Sequence, residues 1–185
     1  VLELHRGAES RLSSSMGGEA SQRLAEEVAR EFRRRMLDDY VARIGRCLEL
    51  LSEDEVWRKP SPSSNSIGNL LRHLEGNVRQ WILCGVAGQP DVRDRDGEFA
   101  ATVECESRST ADLLAALRAT VTEAVEVVDG LGPDELLRTK RYQDLFDETG
   151  LGAVLHVMEH FSGHAGQIYA FTKQVKDVDL RFYDI

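Results

Sequence analysis

The sequence has little cysteine, no excess of positive charge and no long apolar run, and each shortage closes off a class of protein. Its three cysteines, Cys47, Cys84 and Cys105, are odd in number and widely spaced, with no Cys-x-x-Cys pair. Neither a disulfide framework nor a thiolate zinc site is expected, a reducing cytoplasm is the expected compartment, and the cysteines read as small buried hydrophobes. The formal net charge is -9, from 23 Lys+Arg against 32 Asp+Glu. That leaves no basic face for nucleic-acid phosphates and little attraction to an anionic membrane. No apolar run reaches the ~18 residues of a membrane span, and the first residues lack the apolar core of a signal peptide. What remains is a chain of 185 residues with 42% hydrophobic and 30% charged content, enough for one globular domain with a sizeable core.

Residues 1–18 are rich in Ser, Gly and charge without clear periodicity. They read as a disordered tail, with Met16 a candidate start, ahead of a single domain over 19–185. From Ala20 to Leu51 no Pro interrupts a helical pattern in which Leu24, Val28, Phe32, Met36, Tyr40, Ile44, Leu48 and Leu51 recur every three or four residues. Ser52 and Glu55 have capping-box spacing for a short turn of helix, and Pro60 and Pro62 mark a loop. A second helix is expected over Ser66–Cys84, and residues 87–108 read as a long solvated, salt-bridged loop. Its Asp91–Glu98 stretch only superficially resembles a calcium loop, because Val92 falls where the first aspartate ligand belongs. A third helix is expected over Thr110–Val128, a short turn opened by Pro133, and a fourth helix over Thr149–Lys173. Phe182 and Tyr183 are expected to pin the C-terminal tail. No strand pattern competes, so the fold class is all-α, a four-helix bundle with short helical turns between helices one and two and between three and four.

Chemistry concentrates in His156-Val-Met-Glu-His160-Phe-Ser-Gly-His164-Ala-Gly-Gln167, which holds three of the five histidines at four-residue steps. Residues four apart stack on one helical face. His156 and His164 are about 12 Å apart along the axis, so only an adjacent pair can share one ion. With Val154, Met158, Phe161, Ala165, Ile168 and Thr172 as the buried stripe, His164 lies roughly 80° from its centre, His160 roughly 120° and His156 roughly 160°. His160 and His164 therefore face a neighbouring helix, and His156 suits a surface or supporting role. His73, on the flank of the second helix's stripe, is the simplest third ligand. Three neutral imidazoles leave a fourth position open, as in catalytic zinc sites; nickel, iron or manganese suit them too. Asn77 and Gln167, each near a ligand on its helix, are candidates for supporting or substrate contacts. Glu159 is expected to point away, and no general base is assignable. Gly163 and Gly166 cost about 1 kcal/mol each inside a helix, which suggests close approach of a helix, a subunit or a substrate.

The segments Asn65-Ser-Ile-Gly-Asn-Leu-Leu-Arg-His73-Leu-Glu-Gly-Asn77 and His156 to Ile168 resemble the DinB-like superfamily of metal-binding four-helix bundles, and the likeness extends over about residues 20–175. The resemblance implies one metal-binding histidine on the second helix and a His-x-x-x-His pair on the last, carried here by His73, His160 and His164. Arg93-Asp-Arg-Asp-Gly-Glu-Phe99 is similar to a branch of undefined activity. Similar bundles include transferases that use low-molecular-weight thiols such as bacillithiol, and a mycothiol-dependent isomerase. The expectation is a cytoplasmic metalloenzyme holding one zinc or nickel ion, with a low-molecular-weight thiol and a small-molecule substrate. It would act as a thiol S-transferase or a metal-assisted hydrolase, and form a homodimer. The rivals are a metal-binding protein without turnover and a dimeric helical interaction module.

Overall fold

The computed structural model describes the backbone of residues 2–182 and the side chains of residues 17–182. The first long helix begins as α1 (Leu2–Arg33), widens into a π-helical stretch (Arg34–Val41) and continues as α2 (Ala42–Leu48). After the short α3 (Glu53–Trp57), the second long helix is α4 (Ile67–Val78), extended by a π-helical stretch (Arg79–Val86). Then come α5 (Arg95–Ala100), α6 (Thr110–Asp129), α7 (Pro133–Leu137), a hairpin of β1 (Thr139–Tyr142) and β2 (Phe146–Thr149), and α8 (Gly150–Lys176). Four long helices thus form an all-α bundle, with α3 and α7 as the two short turns.

Local chemistry sets these boundaries. Ser52, Ser66 and Ser109 each accept from the backbone N–H three residues on, while Glu55, Asn69 and Asp112 reach back to close reciprocal capping boxes. These satisfy donors that a helix start leaves open. Pro133 opens α7, where its missing N–H costs nothing. The core is built from inward stripes, with Phe32, Met36 and Ile44 meeting Leu71, Leu74 and Ile82, Leu117 and Val121, and Val154, Phe161 and Ile168, all buried.

Four expectations need correction. Leu24 is 65% exposed, and the inward stripe passes instead through Ala25, Ala29 and Phe32. Of the cysteines only Cys47 is a buried hydrophobe; Cys84 is half-buried at the end of its helix and Cys105 lies exposed in a turn. The strand-free reading missed the hairpin, whose antiparallel register pairs Thr139 with Thr149 and Tyr142 with Phe146. Its turn puts Gln143 and Asp144 in the left-handed region, at φ 54 and 55, although neither is glycine. The loop after the second helix is not simply solvated: it contains α5, whose first turn is capped by Asp94 accepting from Gly97 N–H at 3.0 Å. The tail expected over residues 1–18 falls mostly on residues whose side chains lie outside the described ones; at its end Gly17 and Gly18 are helical and exposed. Phe182 does pin the C-terminal segment, edge-on to Tyr169 at 4.8 Å and under Arg43 and Arg46, while Tyr183 lies outside the described residues.

Candidate metal centre

The capping box at Ser66 starts α4 in a register that turns His73 into the bundle, where it is 4% exposed. From the facing helix, α8 presents His160 and His164 one turn apart. The Nε2 atoms of His73 and His160 are 2.9 Å apart. The ring centroids of His73 lie 5.0 Å from those of both His160 and His164, and the latter two are 4.6 Å apart. One nitrogen from each of the three falls within 4.8 Å of the others.

A buried carboxylate fixes the orientation of His73. Its Nδ1–H donates to Glu98 Oε2 at 2.9 Å, which holds the tautomer that leaves Nε2 as a lone pair facing α8. Arg93 donates from Nε to Glu98 Oε1 at 2.7 Å and from Nη2 to Oε2 at 2.8 Å, a bidentate fork. Arg93 Nη2 also lies 3.0 Å from His73 Nδ1; both are donors, so they share the Glu98 oxygen rather than bond each other. Arg93 Nη1 reaches Gln80 Oε1 at 2.8 Å. The Asn69 amide donates to the carbonyls of Glu98 and Ala101 at 3.0 and 2.9 Å, anchoring α5 to α4. Gly76 makes room: a Cβ there would overlap Glu98 Oε1 and come within 2.8 Å of Arg93 Nε. Phe99 covers the other side of the His73 ring at 4.7 Å. Sequence reasoning missed Arg93 and Glu98 as site residues; the loop motif that contains them was the available signal.

The same enclosure disfavours protonation of His160 and His164. Burial, followed by repulsion from His164, His73, His156 and Arg93, lowers the His160 pKa to about 3. Burial also lowers that of His164, against an opposing hydrogen bond with Gln167 Oε1 at 3.1 Å. Burial works against ionisation of Glu98, but hydrogen bonds from Arg93 and His73 prevail and hold it below the usual carboxylate range.

The remaining candidates divide. Gln167 stands beside His164. Asn77 is 4% exposed, but among the described residues it bonds to no member of the triad. His156 is half-buried rather than a surface residue, because Trp81 of the facing π-helical stretch lies against it, ring centroids 4.0 Å apart. Trp81 in turn stacks on Tyr142 and Phe146 of the hairpin. Glu159, expected to point away, is exposed but lines an open depression of about 290 Å³ together with His156, His160, Gly163, His164 and Gln167. Nothing within the described residues comes within 4 Å of a Cβ built at Gly163 or Gly166, so no described helix accounts for them by close packing.

A divalent ion bound at about 2.0–2.1 Å keeps neighbouring ligand nitrogens roughly 2.9–3.4 Å apart. The His73–His160 spacing already lies in that range, and His164, with a nitrogen within 4.8 Å of both, would close in on the ion. Three imidazole nitrogen donors, one with its tautomer held by a carboxylate, fit zinc or nickel.

A family model described as mycothiol S-transferase matches residues 33–172, most of the chain and every residue of this site. The chain belongs to the mycothiol S-transferase family. Among solved structures, a DinB-like protein of Bacillus subtilis is similar at 20% identity and TM-score 0.60, covering 85% of this chain and 97% of that one. A DinB-like protein of Bacillus cereus matches at 14% identity and TM-score 0.58, covering 74% and 86%. At such identities the likeness concerns the fold, which is DinB-like. Comparison with curated protein sequences gives no match. Within this family fold, none of the described helices is long and apolar enough to cross a membrane.

Proposed function

We propose that the chain is a divalent-metal-dependent S-transferase that joins a low-molecular-weight thiol, mycothiol as in the family's description, to a small electrophile. His73, His160 and His164 would hold one zinc or nickel ion. The observation that carries the reading is the convergence of three imidazoles from two facing helices at the edge of an open depression. A divalent cation held there lowers the pKa of a thiol that reaches it, so that sulfur is nucleophilic at neutral pH. Glu98 keeps His73 presenting Nε2, Arg93 keeps Glu98 ionised, and the depression admits both reactants. In the net reaction a sulfur–carbon bond forms, the bond from that carbon to its leaving group breaks with the electron pair going to the leaving group, and the thiol proton passes to water. Three free cysteines suit a reducing cytoplasm, and the clear strip at Gly163 and Gly166 suits a ligand or a second subunit of a homodimer.

Elemental mass spectrometry on tag-free protein tests the metal. About one ion per chain is expected, lost in His73→Ala, His160→Ala and His164→Ala and kept in His156→Ala. Thiol consumption with model electrophiles then tests the chemistry. A protein that takes up no stoichiometric metal after reconstitution with zinc or nickel is instead an interaction module, its seam closed by the 2.9 Å His73–His160 contact.

A further inference from the structure

The surroundings of the triad differ on its two sides. Toward the start of α8 the neighbours are aromatic: His156, Trp81, and the hairpin's Tyr142 and Phe146. Toward its end, Gln167 lines both the depression over the histidines and a second cleft of about 310 Å³. Ser63, Ser64 and Asn65, from the loop before α4, form one wall of this cleft, and Leu70 and Phe171 contribute apolar surface. An Oγ–Oγ hydrogen bond of 2.7 Å between Ser61 and Ser64 braces the wall.

No lining residue of the cleft is charged. A phosphate, carboxylate or ammonium group entering it would give up water without meeting a counter-charge. Hydroxyl and amide groups beside aromatic and aliphatic carbon instead complement a neutral polyol. The polyol's hydroxyls exchange hydrogen bonds with Ser, Asn and Gln side chains, and its C–H face covers the carbon surface. Gln167 accepts at Oε1 from the His164 side and retains its amide N–H groups as donors. Gln167 belongs to both hollows, and Gly163 beside it in the first puts no side chain in the way. Each hollow is near the lower end of the ~300–1,000 Å³ of small-molecule pockets, so a ligand spanning both is of ordinary size.

We infer that this neutral cleft is the subsite for the uncharged, hydroxyl-rich body of the thiol, whose sulfur end lies over His160 and His164. The inference rests on the S-transferase reading. It also orients the reaction: the thiol enters from the Gln167 end, and the electrophile meets the aromatic end at His156 and Trp81.

The test compares mycothiol with N-acetylcysteine, which has the sulfur end but not the sugar–cyclitol body, by calorimetry on zinc-loaded protein. The comparison is repeated in Ser63→Ala/Asn65→Ala, whose two sites are exposed and remote from the core. The wild type is expected to bind mycothiol at least about tenfold more tightly than N-acetylcysteine, as two or three net hydrogen bonds allow. The double variant should lose most of that advantage while its N-acetylcysteine affinity and zinc content stay unchanged. Metal-free wild type, titrated with the thiol-free and uncharged N-acetylglucosaminyl-inositol and followed by NMR, should shift amides of residues 63–65 and 167. Equal affinities for the two thiols in the wild type, or equal losses for both in the variant, overturn the subsite while leaving the S-transferase reading intact. Zinc-loaded protein that binds neither thiol overturns both.

Discussion

Replacing Glu98 by Gln separates what the buried carboxylate does for the fold from what it does for the metal. The side chains of Arg93 and Glu98 are only 6% and 7% exposed, with a 2.7 Å Nε–Oε1 contact. Removing one charge of such a pair leaves the other buried without compensation, at about 3–5 kcal/mol. Gln keeps the volume and one acceptor, so about 3 kcal/mol is the expected loss. In a protein of this size each kcal/mol moves the melting temperature by about 2–4 °C, giving a drop of roughly 6–12 °C in metal-free protein. Gln also loosens the tautomer of His73, and losses of this kind lower metal affinity about 10–100-fold. The separating variant is Arg93→Met/Glu98→Leu. Exchanging a whole buried ion pair for apolar groups is often neutral or better, so thermal stability should largely return. The His73 Nδ1–H would still have no carboxylate, so zinc affinity, measured by chelator competition, should stay low. A Glu98→Gln protein with wild-type zinc affinity, or a double variant that regains both properties, refutes the reasoning.

Gly76→Ala, which drives a methyl into the Arg93–Glu98 fork, should lower zinc affinity about tenfold by displacing the same carboxylate; chelator competition reads this, and unchanged affinity would show that the fork can shift without cost. Among the described residues the buried Tyr142 hydroxyl has no hydrogen-bond partner, so Tyr142→Phe should raise stability by about 1 kcal/mol in urea unfolding, and a loss of that size would reveal a hidden partner. The His160 pKa is depressed to about 3 in the folded protein against about 6.5 unfolded, so the unfolded chain binds the extra proton between these values. Metal-free protein should therefore lose stability as the pH falls from about 6.5 toward 3, and hold it above that range. The slope has a ceiling of about 1.4 kcal/mol per pH unit for one proton, reduced by solvent at the half-buried ring. His160→Ala should flatten the profile, and a variant with the wild-type slope contradicts the assignment.

The long helices were legible because each carries one apolar stripe with helical period, and Ser52 and Pro133 announce the two short turns between them. Pairing His73 with His160 and His164 was legible for the same reason, since a stripe fixes which face a histidine occupies. What escaped depends on partners distant in sequence. Arg93 and Glu98, in a run of alternating charges, have the composition of a solvated loop; only the gap at Gly76 and the anchor at Asn69 bring them inside. The wheel placed His156 outward because an angle measured on one helix carries no record of Trp81 on another. The hairpin strands, Thr139–Tyr142 and Phe146–Thr149, are four residues each and show little apolar alternation, and their left-handed turn uses Gln143 and Asp144 where a glycine would have been the signal.

The missed residues and the legible ones meet in a single physical consequence. Burial, with repulsion from the neighbouring imidazoles added to it, disfavours a proton on His160 and on His164. Each proton needs only one lone pair, whereas a divalent ion is stabilised by three at once. Crowding that expels protons therefore leaves the nitrogens poised for a shared ion, provided that one of them is aimed in advance. Glu98 aims His73, and its negative charge offsets part of the repulsion that a divalent ion would feel from Arg93. With the fork, the proton of His73 is committed to Nδ1 and its lone pair to the site, so the 2.9 Å contact is one in which His160 Nε2–H donates to His73 Nε2, and an ion would have only that one proton to displace. The charged loop is thus part of the cluster, and under the proposed function the selection of metal over proton at neutral pH would belong to α4, α5 and α8 together.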